Sequence, residues 1–77
     1  MIQKYKFVEQ NLDMLRKLTN NGYVSPKLLV YYHIYKAYMS VQDKSKMFRY
    51  GIVAKETKSS VATVRLAVRD MKQYVKK

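Results

Sequence analysis

The chain has 77 residues, no cysteine, and 16 Lys and Arg against 5 Asp and Glu, for a net charge of +11. A chain this short holds one domain with one core, and folding buries only about 60% of the surface its unfolded form exposes. Missing cysteines exclude a disulfide framework, a zinc-thiolate site and a thiol nucleophile, while 48% apolar residues argue against disorder.

The longest apolar run, residues 28–32, stops at His33 and is far too short to cross a bilayer. The first residues lack the apolar stretch and cleavage site of a secretory leader, so a soluble cytoplasmic protein with no membrane partner is expected. So dense a positive charge repels itself, and it normally meets something negative.

No segment alternates with period 2, so helices are the natural reading. The first is expected over about residues 2–19. At about 100° per residue, Ile2, Tyr5, Val8, Leu12 and Leu15 share one face, which Phe7, Met14 and Leu18 widen. Lys6, Glu9, Asp13, Arg16 and Lys17 lie opposite. An apolar face covering half the circumference exceeds what one neighbour covers. Either the helix wraps deeply into the bundle, or part of this face, such as Phe7, Met14 and Leu18, makes a homodimer contact. Asn20-Asn21-Gly22 then provides the left-handed backbone that ends a helix.

Ser25 is placed to cap free amides and Pro26 to occupy the first helical position. The second helix, to about Val41, is apolar nearly all round and belongs in the middle of a bundle. Its tyrosines, Tyr31, Tyr32, Tyr35 and Tyr38, read as packing residues whose hydroxyls reach polar partners or water. His33, with no second His and no Cys, reads as a structural residue rather than a metal ligand or catalyst.

Residues 42–45 form a polar break, with Asp43 or Ser45 as cap. A third helix is expected over about residues 46–57, with Met47, Tyr50, Val53, Ala54 and Thr57 on one face. Lys58-Ser59-Ser60 makes a short turn, and Ser60 caps a last helix to about Tyr74. There Val61, Val64, Val68, Met71 and Val75 recur at three- and four-residue spacing. The expected fold is all-α: a tri- to tetra-helical bundle in one domain, residues 1–77, with no β wing. Residues 1–42 are its scaffold and residues 43–77 a helix-turn-helix.

A helix-turn-helix needs a small residue where its helices cross, a tight turn, a capping hydroxyl and apolar anchors on the second helix. Val53 and Ala54, the turn at Lys58-Ser59-Ser60, and Val64, Ala67 and Val68 supply these. Residues 54–71 (AKETKSSVATVRLAVRDM) resemble the helix-turn-helix of bacterial transcription regulators, and the TVRLAVRDM portion is similar to recognition helices of the GntR-type winged-helix group. Three departures stand out. Lys58 occupies the usual glycine position, Ser59 replaces an apolar plug, and no two-stranded wing follows. The resemblance covers roughly residues 47–73. It implies a wingless DNA-binding protein of the kind carried by bacteria, phages or plasmids, acting in transcription regulation.

Charge supports the same end of the chain. Residues 1–42 carry 6 basic and 2 acidic side chains, net +4, and residues 43–77 carry 10 and 3, net +7. Opposite the valine stripe the last helix presents Ala62, Leu66, Arg69 and Gln73, with Arg65 and Lys76 on its shoulder. Arg can donate two hydrogen bonds to a guanine edge, and Leu or Ala can touch a thymine methyl. By resemblance, Ser60, Val61, Ala62, Arg65, Leu66 and Arg69 are the base-reading candidates. Lys46, Arg49, Lys55, Lys58 and Thr63 are candidates to hold phosphates, which sets register without reading sequence.

An enzyme is not expected. There is no Gly-rich phosphate loop, no carboxylate pair on one face, and no cluster of Arg and His around a tyrosine nucleophile. No cofactor or small-molecule ligand is implied. Two other functions fit the composition. One is a DNA-handling adaptor in replication, partition or packaging; the other is a basic module that binds an acidic protein.

Overall fold

The structure, a computed structural model, describes residues 1–41 and 45–75. In chain order these form β1 (Ile2–Gln3), α1 (Lys4–Gln10), α2 (Leu12–Asn20), α3 (Pro26–Ser40), α4 (Lys46–Thr57), α5 (Val61–Met71) and β2 (Tyr74–Val75). The architecture is a small, mostly α-helical bundle with one miniature sheet. α3 runs through the middle and packs against α1, α2, α4 and α5.

The single first helix of the sequence reading is two helices. Asn11 breaks it, because its side-chain amide donates to the carbonyl of Phe7 at 2.8 Å and so competes with the helical ladder. Its own N–H donates to Val8 O at 3.1 Å, closing α1, and its carbonyl accepts from Leu15 N to open α2. Val8 and Leu15 are buried, Tyr5 and Leu12 pack partly against the core, and Met14 is half-exposed. Gly22, at φ 79°, forms the left-handed stop after α2.

α3 starts as its punctuation implies, with Ser25 Oγ accepting from Lys27 N at 3.3 Å and Pro26 in the first turn. Tyr32, Ile34, Tyr35 and Tyr38 are buried. Tyr5 of α1 stacks on Tyr32 and meets Tyr35 edge-on, Tyr35 stacks on Tyr38, and Tyr38 stacks on Tyr50 of α4. Aromatic contacts of this kind add to simple area burial. The helix is not apolar on every side, however. Val30, His33, Lys36 and Met39, three residues apart, form an exposed stripe. His33 therefore lies at the surface and not within the packing. Nor does every tyrosine hydroxyl find a partner: that of Tyr32 is buried without a hydrogen bond among the described residues.

Ser45 holds the N-cap position of α4; Asp43, the other expected cap, lies outside the described residues. At the far end the chain departs from its helical pattern. α5 stops at Met71, and Tyr74 and Val75 pair antiparallel with Gln3 and Ile2. Lys4 N–H donates to Gln73 O at 2.6 Å, and Lys4 Nζ sits 3.0 Å from both carboxylate oxygens of Asp70. Tyr and Val suit a pleated edge, and here the N-terminal residues offer one. The sheet joins the two ends of the chain, so β2 is not half of a wing hairpin.

Candidate nucleic-acid interface

α4 and α5 meet through small and branched side chains. Val53 and Ala54 on α4 are buried, as are Val64, Ala67, Val68 and Met71 on α5. Small Ala54 and Ala67 let the two backbones come close, and the valines lock the crossing.

The connection between them is tight. Lys58 adopts the left-handed conformation at φ 56° and ψ 37°, the position where glycine is usual, and does so as the one non-glycine residue of positive φ among those described. The N–H groups of Lys58 and Ser59 both donate to Ala54 O, a Schellman-type ending for α4. Ser59, in the position of the apolar plug, is half-buried and its hydroxyl lies 3.4 Å from Thr57 O. Ser60 then caps α5: its Oγ accepts from Thr63 N at 3.1 Å and lies 2.9 Å from Thr63 Oγ1. Both orientation and start of α5 are thereby set by residues of the turn itself.

With its aliphatic side buried, α5 turns Ala62, Arg65, Leu66 and Arg69 outward, all exposed. These four line one surface groove of about 390 Å³ together with Tyr50 of α4. Val61 is at the margin, 39% exposed, and Ser60 is exposed at the tip. The base-reading candidates thus lie along one helix, with Ala62, Arg65, Leu66 and Arg69 brought together most closely. Tyr50 was legible only as a packing residue, since half-buried rings at core spacing give no separate signal.

The phosphate candidates divide. Lys46, Lys55 and Lys58 are exposed. Thr63 is half-buried, with its hydroxyl held against the cap. Arg49 points inward: its guanidinium carbon stands 3.9 Å from the Tyr38 ring centroid, and Nη2 donates to Tyr38 O at 2.9 Å. That places Arg49 at the last turn of α3, where carbonyls lack helical partners and attract a cation. It serves the fold there.

Among the described residues the one ion pair is Lys4 with Asp70, so neither Arg65 nor Arg69 is matched by a carboxylate. The acid on α5 is already balanced by a lysine from the other end of the chain. What remains along the face is unopposed positive charge around a small apolar centre. Among the described residues no three His, Cys, Asp or Glu side chains gather as metal ligands would. None of the described helices is long and apolar enough to span a membrane. No protein-family model, curated protein or solved structure matches the chain.

Proposed function

We propose that this chain binds double-stranded DNA in a sequence-specific manner, with α5 in the major groove, as a small transcriptional regulator of a bacterium, phage or plasmid. The observation that carries the reading is the exposed Arg65 and Arg69, without a carboxylate partner among the described residues, beside Ala62 and Leu66 on a helix anchored by its opposite face. A major groove roughly 12 Å wide admits such a helix, and the four base-pair orientations, A·T, T·A, G·C and C·G, present distinguishable edges there. Arg65 and Arg69 supply bidentate donors, and Ala62 and Leu66 supply methyl contacts. Lys46, Lys55 and Lys58 neutralise phosphates and release counterions, so affinity falls steeply with salt. The protein acts without cofactor or catalysis, in the cytoplasm. Two copies joined through α1 and α2, with exposed Met14 of α2 at the contact, raise occupancy of paired half-sites by effective concentration.

Selection from a pool of randomised duplexes tests this reading. The expected result is enrichment of one short recurring site. Retention of duplexes without enrichment supports the adaptor role in replication, partition or packaging. Recovery of no duplex at physiological salt contradicts DNA binding, and capture of an acidic protein under the same conditions supports the protein-binding module.

A further inference from the structure

A second groove, of about 440 Å³, runs along the C-terminal half of α5. It is lined by Leu66, Arg69 and Asp70 of α5, by Lys27 and Tyr31 of α3, and by Lys4. Leu66 and Arg69 line both grooves, so the surface is continuous with the face of Ala62 and Arg65. Nothing in the helix-turn-helix segment announces this neighbour, because α3 lies far away in sequence.

The charges in this groove do not cancel. Lys4 and Asp70 neutralise each other, Nζ lying 3.0 Å from both carboxylate oxygens. Lys27 and Arg69 remain, both exposed and without a carboxylate partner among the described residues. Lys27 is steadied as well, since its ammonium stands 5.2 Å from the Tyr31 ring centroid. A cation held against an aromatic face loses less freedom on meeting an anion than one on a free stem. In the same lining, Tyr31 and Leu66 offer apolar surface beside the two cations. Charge beside apolar surface suits a sugar-phosphate strand, whose phosphates alternate with weakly polar sugars.

We infer that this groove takes a backbone phosphodiester of the DNA whose bases α5 reads, with Lys27 of α3 as its positioning cation. The inference rests on the DNA reading above and extends the contact surface beyond the helix-turn-helix. Lys27 sets register and adds affinity without discriminating between sequences. Asp70 limits the groove's attraction, and Lys4 limits Asp70's repulsion in turn.

The test is titration of a fluorescent random-sequence duplex with wild type, Lys27→Glu, Asp70→Asn and Lys17→Glu across a salt series. Lys17 is an exposed residue of α2, a helix packed on α1 and α3, and its variant carries the same charge change away from the groove. Lys27→Glu is expected to weaken binding about tenfold at low salt and to make the salt slope shallower by about one unit. Asp70→Asn tightens binding, and Lys17→Glu moves affinity by no more than about twofold with its slope kept. Equal behaviour of Lys27→Glu and Lys17→Glu overturns the inference. It leaves the DNA reading standing if Arg65→Ala/Arg69→Ala still weakens binding. Failure of wild type to bind the duplex at any salt overturns both.

Discussion

α3 and α5 both cross the core, yet they divide their surfaces in opposite ways. α3 buries three tyrosines and an isoleucine and, between its two ends, leaves a thin mixed stripe of Lys27, Val30, His33, Lys36 and Met39 outside. α5 buries two valines, an alanine and a methionine, and keeps a broad face of Ala62, Arg65, Leu66 and Arg69 in solvent. A helix whose large side chains are nearly all committed to neighbours can change little without loss of the fold. One anchored by small residues can vary its outer face freely. On the proposed reading, stability is concentrated in α3 and base recognition in α5, and substitutions should separate the two.

The largest expected effect is on the α3 side. Tyr35→Ala removes a ring that contacts both Tyr5 and Tyr38, and should cost about 3–5 kcal/mol, as for other buried aromatic truncations. Chemical denaturation measures it directly. In a domain with about 5–15 kcal/mol of total stability, that loss leaves a large unfolded fraction. A loss below about 1 kcal/mol would show that the tyrosine cluster is not where stability resides.

Lys58→Gly sharpens the comparison from the turn. A lysine at φ 56° carries a backbone cost that glycine does not, so stability should rise by about 1 kcal/mol. The same change removes one exposed cation proposed to hold a phosphate, so DNA affinity should fall modestly and evenly across sequences. Thermal melting and duplex titration of one variant should thus move in opposite directions. Movement of both in the same direction would tie turn geometry to binding more closely than the two-region account allows.

The smallest effect concerns alkaline pH. Burial raises the Tyr5 phenol above its ordinary value of 10.0, helped by the nearby Glu9 carboxylate. Burial also raises Tyr35, with Tyr38 adding to the shift and Arg49 opposing it. The folded chain holds these protons more tightly than the unfolded one. Their contribution to stability is complete below the ordinary tyrosine value and is lost as pH rises through the folded one. Melting temperatures of wild type and Tyr5→Phe, compared from pH about 8 to about 11, should show the steeper decline in wild type. Parallel curves would remove Tyr5 from the alkaline response.

The region around the turn was the most legible part of the chain. Ser60 ahead of a valine stripe at helical spacing located the start of α5, and Ala54 located the crossing. Other features had no local signal. Asn11 sits within a good apolar periodicity, and only its side-chain bond to Phe7 O shows that it divides the helix. A two-residue strand has no period to detect, and its partner lies at the opposite end of the chain. Arg49 looked like any surface cation until Tyr38 supplied both a ring and a carbonyl. On the candidate site, the outward set on α5 could be read from helical geometry alone. The contribution of Tyr50 and Lys27 to its grooves depends on how α3 and α4 pack beside it.

The central claim is that the outer face of α5 meets DNA while its inner face holds the fold. Fluorescence-anisotropy titration of a random-sequence duplex, with wild type and Arg65→Ala/Arg69→Ala across a salt series, tests it most directly. Wild type should bind with a steep negative salt slope, and the double variant, equally stable, should bind more weakly with a shallower slope. Superimposable curves for the two proteins, or no binding by wild type at low salt, would contradict it.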